Sequence, residues 1–365
     1  MFGLMEHAEI IEGAGSDRWD YFFQQLPPEL QDIHFTSAYH RMYERNGDGS
    51  ARVFVWQQNE KIYFYPFLLR PIPDTLWFDI ETAYGYTGPV SSSGDSAFLR
   101  EADQAFCDYC REKNVISEFV RFHPLIGNDR LARDAKGMAV SALREYVWVD
   151  LAQPLAEIEK KYSSPNRNKI RKAEKNNVRV VRDHEGNYFH DFVRIYRENM
   201  QHLNASAMYF FTQPFYDELQ KLTKTAGMLM VALQNDTPIA TAVFLKGKTM
   251  GHYFLSSATQ EGKKVAAANL LLHHGIIWCH EQDLKQMHLG GGMTGDAQDP
   301  LLLFKKNFSS DVVTYHIGKR IHREDIYRKL CADWDVQFAP MSADYSHMLQ
   351  RYRLTLADIQ VREKE

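Results

Sequence analysis

Two spacings of apolar residues alternate along this chain, one at every second position and one at every third or fourth, and their order predicts the architecture. Arg52-Val53-Phe54-Val55-Trp56-Gln57 and Ile62-Tyr63-Phe64-Tyr65-Pro66-Phe67 are rich in β-branched and aromatic residues. They flank the polar Gln58-Asn59-Glu60, which predicts a hairpin. Residues 18–45 before them read as helical pieces around the break Leu26-Pro27-Pro28-Glu29. After the hairpin come a turn at Tyr84-Gly85-Tyr86-Thr87-Gly88-Pro89 and a helix over Ala97–Lys113. A strand at Ser117–His123 is stopped by Pro124, and another follows at Tyr146–Leu151.

Beyond Leu151 the order begins again. A helical stretch from Pro154 to Asn176 is interrupted at Ser163-Ser164-Pro165, and Val178–Val181 reads as a strand. Phe189, Phe192, Val193, Tyr196 and Met200 share a helical face within Asn187–Leu203, and a second helix spans Gln213–Lys224. Three strands follow, at Met228–Leu233, Ile239–Leu245 and Met250–Ser256, the first two joined by Asn235-Asp236-Thr237-Pro238. Then come a helix over Ala266–Gln282 and a strand at Gln286–Leu289. The second half therefore reads strand, helix, helix, three antiparallel strands, helix, strand, helix, and the first half is a looser version. The expected fold class is α/β with mixed (α+β) sheets in two units, repeated in element order and not in residue identity.

A length of 365 residues fits two domains, and a 44% hydrophobic, 13% aromatic composition supplies two packed cores and excludes a disordered chain. No apolar run approaches the length of a membrane span, and Met1–His7 lacks the basic-then-apolar order of a signal peptide. The expected location is cytoplasmic, at or near the inner membrane face. A net charge of −4 argues against a general nucleic-acid binder. Between Glu159 and Arg182, however, nine Lys/Arg face two Glu, a candidate anion-binding surface. Cys107 and Cys110 fall on one turn of a helix with no second such pair, so packing is preferred over redox or metal chemistry.

The densest chemical signal is His288-Leu289-Gly290-Gly291-Gly292, followed by Asp299-Pro300 and the apolar-basic Leu301–Phe308. Glycines let a ligand approach the main chain, and a helix start beyond them offers N–H groups to an anion. His273 and His274 are neighbours on a helix and point apart; no residue stands out as a general base. There is no metal-ligand spacing, P-loop, nucleophile elbow or dinucleotide fingerprint, which disfavours metal, nucleotide-hydrolysing and serine-hydrolase chemistry.

Four features resemble the FemAB-like family of the GNAT acyltransferase superfamily, whose members carry two GNAT units in tandem. They are Tyr84–Pro89; the basic helix Arg167–Ala173 before Val178-Arg179-Val180; Ala266-Ala267-Ala268-Asn269 opening a helix; and His288–Gly292 followed by Leu303–Phe308. Together they span roughly residues 50–310. The resemblance implies a first domain over 1–148, completed by about 318–365, and a donor-binding second domain over 149–317. Three departures stand out. No long hairpin arm fits between Gln213 and Leu233; the donor loop is reduced to Lys263-x-x-Ala266-x-Ala268; and about 48 residues follow Ile317.

What the resemblance implies is transfer of an acyl or aminoacyl group from a thioester (acyl-CoA) or aminoacyl-tRNA to an amine. The acceptor class is a small molecule or a lipid- or nucleotide-linked sugar, such as a cell-wall or surface-polysaccharide precursor. Lys305, Tyr253 and Ser256 are the expected catalytic residues. Lys263, Lys264, Ala266, Ala268, Asn269, Gly290 and Gly291 would hold donor phosphates. Tyr84, Tyr86, Arg121, His123, Arg167, Arg171, Lys172 and Tyr209 would face the acceptor. No metal or tightly bound cofactor is expected. The rival readings are a non-catalytic degenerate GNAT scaffold or ligand-binding protein, and an RNA-binding protein acting through residues 159–182.

Overall fold

In the computed structural model, which describes residues 7–133, 135–339, 341–356 and 358–359, the first strand is β1 (Ala8–Glu12). Helices α1 (Asp17–Gln25) and α2 (Ser37–Asn46) follow. Thr36 caps α2 by accepting from the Tyr39 amide, and Gly47 ends it in the left-handed region at φ 95°, where a side chain would be strained. β2 (Ser50–Gln58) and β3 (Lys61–Pro71) form the expected hairpin, and β1 pairs with β2. β4 (Phe78–Glu81) and the short β5 (Val90–Ser91) both pair with β3. α3 (Ser96–Glu112), capped by Asp95, crosses to β6 (Val115–Arg121), which runs parallel to β4; α4 (Asp129–Ala132) is a single turn. Phe54, Trp56, Tyr65 and Phe67 of the hairpin pack against Phe98, Phe106 and Cys110 of α3. Each such fully buried aromatic contributes roughly 1.5–3 kcal/mol.

β7 (Ala139–Asp150) leads to α5 (Leu155–Lys160), α6 (Ser164–Lys175) and β8 (Arg179–Asp183). α7 (Phe189–His202) and α8 (Gln213–Ala226) precede the meander β9 (Gly227–Gln234), β10 (Thr237–Lys246) and β11 (Met250–Ala258). α9 (Gln260–Lys264), α10 (Ala267–Glu281), β12 (Gln286–Gly290) and α11 (Pro300–Lys306) complete the set. α10 is apolar nearly all round because it is buried: Leu270, Leu271, Leu272, Ile276 and Trp278 join Met228, Met230 and Phe244 in one core. Gly275 lets the Phe244 ring sit against the helix, since a Cβ there would lie 2.1 Å from a ring carbon.

The chain divides into two units. Unit 1 holds the chain up to Leu30, His34–Ala142 and the chain from His316 onward; unit 2 holds Gln31–Ile33 and Leu143–Tyr315. The order β1-α1-α2-β2-β3-β4-α3-β6 in unit 1 and β8-α7-α8-β9-β10-β11-α10-β12 in unit 2 is one pattern used twice. Both units are mixed α/β and both follow the GNAT order. Unit 1 is closed by a strand from outside its main run, whereas unit 2 is closed by β7, which opens its own run. β7 pairs antiparallel with β12, and the last strand, β13 (Val312–Ile321), pairs antiparallel with β6 from Ile317 to Ile321. The expected boundary at 148/149 therefore falls inside β7, whose residues from Leu143 on serve unit 2. No local pattern signals this, because a closing strand is chosen by topology.

α12 (Glu324–Gln337) and the following turns belong to unit 1, with Trp334, Tyr345 and Ile359 forming a small cluster. Tyr352 and Arg353 both bond buried Asp79 of β4, and Gln350 donates to the Ile80 carbonyl at 3.0 Å. Among the described residues no helix is long and apolar enough to cross a membrane.

Candidate functional site

The two central strands of unit 2 part company at a defined point. β11 and β12 pair in parallel only at Met250–Gln286, Gly251–Met287 and His252–His288. β11 runs on to Ala258 along β10, while Gly290 of β12 pairs with Val147 of β7. Both strands carry a bulge just past the last shared pair. On β11, Leu255 and Tyr253 oppose consecutive residues of β10, so Phe254 is extra; on β12, Leu289 is extra between His288 and Gly290. A bulge bends its strand and increases twist, and here the bulges lie on opposite outer edges and open a fork. Beyond His252 and His288 the two strands no longer pair with each other.

Tyr253 and Ser256 lie on the β11 arm, and the structure brings them together: their hydroxyl oxygens are 2.5 Å apart. The Tyr253 ring stacks on Phe244, and burial pushes its phenol up to about 12, so it is protonated at neutral pH.

The β12 arm ends in the glycine triplet. Gly290 takes φ 85°, and Gly291 lies so close to Tyr146 that a Cβ would meet the ring at 2.2 Å. Lys305, buried on α11, donates to the Gly291 carbonyl at 2.6 Å. Burial pushes its ammonium down to about 7, opposed by the nearby Asp299 carboxylate. Lys306 instead sits at the surface and pairs with Glu145 at 3.0 Å. Asp299 caps α11 through the Leu301 and Leu302 amides and also accepts from Met293, Thr294 and the Thr294 hydroxyl. Burial alone would raise its pKa, but these donors hold it below the usual range. Arg144 of β7 donates to the Gly292 and Met293 carbonyls, closing the loop from the other side. Arg144 is invisible to sequence reasoning, whereas Asp299 is legible as an N-cap before Pro300.

α10 starts beside the end of β11. Its N-cap, Ala266, takes φ 59° and ψ 36°, an alanine where the left-handed region favours glycine, and has no side chain with which to cap the helix. Ala268 is in the first turn. Gly262 of α9 permits close contact with β10, since a Cβ would lie 2.2 Å from the Ile239 carbonyl oxygen. Lys264 is exposed, while Lys263 donates to Asn199 Oδ1 at 2.8 Å. Asn269, expected to touch the donor, is buried and donates to Asn166 Oδ1 at 2.8 Å. Asn166 in turn donates to the Asn307 carbonyl, and Ser163 bonds the Asn307 side chain. That network fastens α6 to α10 and to the end of α11, and it accounts for Asn269 without a ligand.

The acceptor-side candidates are mostly committed elsewhere. Arg121 pairs with Glu81 and donates to the Thr82 carbonyl at 3.1 Å; burial alone would raise Glu81, yet Arg121 and Arg70 hold it down to about 2. Arg121 is thus half of an ion pair across neighbouring strands. His123 is fully buried, with Nδ1 accepting from the Ile126 amide at 3.2 Å. Tyr84 is exposed; its carbonyl accepts from Tyr39 Oη at 2.6 Å. Tyr86 packs on His34 and His123. Asn128 pins the rest of this loop through the Thr87 and Pro89 carbonyls. On α6, Arg167 donates to the Tyr162 carbonyl, while Arg171 and Lys172 are exposed. Tyr209 sits half-buried in a 3₁₀ turn between α7 and α8.

Residues 160–298 match the family described as an acetyltransferase (GNAT) domain. No curated protein sequence matches the chain. Among solved structures, FemX is similar over 88% of this chain and 99% of its own, at 13% identity and TM-score 0.64. L-PGS from Bacillus licheniformis is similar over 86% and 94%, at 11% identity and TM-score 0.57. The C-terminal domain of a putative lysylphosphatidylglycerol synthetase from Agrobacterium fabrum is similar over 89% and 94%, at 12% identity and TM-score 0.54. The fold is therefore that of FemX, with the acetyltransferase (GNAT) match confined to residues 160–298.

Proposed function

We propose that this chain, whose second unit is a GNAT acetyltransferase domain, transfers an acyl or aminoacyl group to an amine, with the chemistry at the fork between β11 and β12. The observation that carries the reading is the parting of the two strands at His252 and His288, with the start of α10 beside it. The acceptor amine attacks the donor carbonyl carbon; as the C–N bond forms, the carbonyl oxygen gains charge, and backbone N–H groups on the open β11 edge stabilise it. The C–S or C–O bond of the donor then breaks. The Tyr253 phenol, protonated and hydrogen-bonded to Ser256, supplies a proton to the leaving group and regains one from the acceptor nitrogen, which loses a proton as the amide forms. Donor phosphates lie against the first turn of α10 at Ala266 and Ala268, with Lys264 at its approach. Lys305 holds the Gly291 carbonyl and keeps an N–H donor on the β12 arm.

A thioester donor is favoured over aminoacyl-tRNA, because α7 and α8 are joined by a short connection with no arm. The amine of a cell-wall or lipid-linked precursor is the acceptor class that the FemAB-like resemblance favours. The neighbours named for lysylphosphatidylglycerol synthesis support a lipid acceptor as the alternative. The experiment is a calorimetric titration with acetyl-CoA and with free CoA. Binding on the order of micromolar Kd is expected, weakened when Lys264 becomes Glu. Tyr253→Phe is expected to lower kcat with little change in donor affinity. No detectable CoA binding would overturn the thioester reading and direct the search to aminoacyl-tRNA.

A further inference from the structure

The connection between α7 and α8 carries side chains that the folded unit does not use. Leu203 is 51% exposed, Met208 47% and Phe210 39%, all within eight residues. The outward pose is not a shortage of interior positions. The adjacent Phe211 is buried, stacking on Phe215 at 4.0 Å, so the chain sends one aromatic inward and its neighbour outward. From Asn199 to Gln213 the sequence contains no Asp, Glu, Lys or Arg. A surface segment with so many apolar side chains and no formal charge meets the basic requirement for entering lipid, where a charge would be costly.

Positive charge stands at the base of this loop. Lys263 donates to Asn199 Oδ1 at 2.8 Å, and Gln260 Nε2 lies 3.1 Å from His202 Nε2, tying α9 to the last turn of α7. α9 brings two exposed lysines, Lys263 and Lys264, against one Glu261. An apolar tip with a cationic base is complementary to a bilayer whose headgroups are anionic and whose interior accepts Leu, Met and Phe. We propose that the α7–α8 loop is a lipid-docking surface, inserting Leu203, Met208 and Phe210 among acyl chains while Lys263 and Lys264 face anionic headgroups. The loop seats unit 2 on a membrane without any spanning segment. This inference rests on the exposed apolar side chains; it shares Lys264 with the donor site proposed above, and its test reads vesicle binding and not turnover.

The test is co-sedimentation of the full chain with vesicles of phosphatidylglycerol and phosphatidylcholine, and with phosphatidylcholine alone. The wild-type protein is expected to sediment with the anionic vesicles. The double variant Met208→Ser/Phe210→Ser should lose roughly tenfold in partitioning. Both side chains are exposed, so its melting temperature should match the wild type. Phe210→Trp supplies a second readout that does not depend on the double variant folding: its added indole fluorescence should shift to the blue on mixing with anionic vesicles. Wild-type protein left in the supernatant, a double variant that binds undiminished, or an unshifted signal from the Phe210→Trp protein would each overturn the proposal. Equal binding to phosphatidylcholine alone would overturn the role of the lysines.

Discussion

Asp32 Oδ2 lies 2.7 Å from His252 Nε2, and both side chains are almost wholly buried in unit 2. Asp32 comes from the short stretch Gln31–Ile33; the Lys248 amide donates to the Gln31 carbonyl at 2.8 Å, and Gly247 leaves room for the Asp32 backbone. His252 is the last residue of β11 paired with β12, so the contact braces the fork where it opens. Removing Asp32 takes a close polar partner from buried His252. Asp32→Ala should cost about 3–5 kcal/mol in urea unfolding and lower turnover as well. A cost near zero would show that the fork holds itself open without this brace.

Lys305→Ala should lower turnover by more than roughly tenfold, as loss of a held cation and of the Gly291 clamp implies. Lys305→Met keeps the packing and isolates the charge. The native ammonium titrates at about 7 and the unfolded one at 10.5, so between these values the unfolded chain binds more protons. Wild-type stability relative to Lys305→Met should therefore rise as pH goes from about 7 to about 10, on the order of a few kcal/mol. Parallel stability curves for the two proteins would contradict the buried, destabilised ammonium.

Ala266 occupies a left-handed conformation at the start of α10. Ala266→Gly should stabilise the protein by about 1 kcal/mol by relieving the Cβ clash. Ala266→Val should destabilise it by more than that. Thermal melts of the three proteins give the order directly.

In unit 1, burial pushes His40 down to about 4, while its Nδ1 lies 3.1 Å from the Thr36 carbonyl oxygen. The unfolded imidazole titrates near 6.5. Below that value the unfolded chain takes up a proton that the native one refuses, so stability is lost as pH falls from about 6.5 to about 4, by about 3 kcal/mol at most. A His40→Gln variant should lack this part of the acid slope. Identical slopes from chevron or urea series at several pH values would assign acid sensitivity to other groups.

The meander and α10 are legible in the sequence because their apolar runs are long and bounded by turns: Met228–Leu233, Ile239–Leu245 and Met250–Ser256 all fall within β9, β10 and β11. The fork is only half legible. Its two strands can be named, but Phe254 and Leu289 look like ordinary strand residues, and a bulge leaves no composition mark. β4 escapes notice because Phe78-Asp79-Ile80-Glu81 alternates over only four residues, and Asp79, buried and held by Arg70 and Arg353, reads as a surface residue. Arg121 reads as a ligand-binding group because its partner Glu81 belongs to that same unseen strand. Asn269 and His123 stand out only by neighbourhood in sequence, which cannot tell a side chain aimed at a ligand from one aimed into the interior.

The late arrival of unit 1's closing strand sets a timetable for synthesis. Unit 2 has β7 waiting when β12 leaves the ribosome, so its sheet can be finished at once. Unit 1, although begun first, keeps the β6 edge unpaired until the residues of β13 emerge, after all of Leu143–Tyr315 has been made. The half of the protein that is translated first is the last able to fold to completion. A nascent chain stalled before His316 presents an open sheet edge of the kind that pairs with other chains.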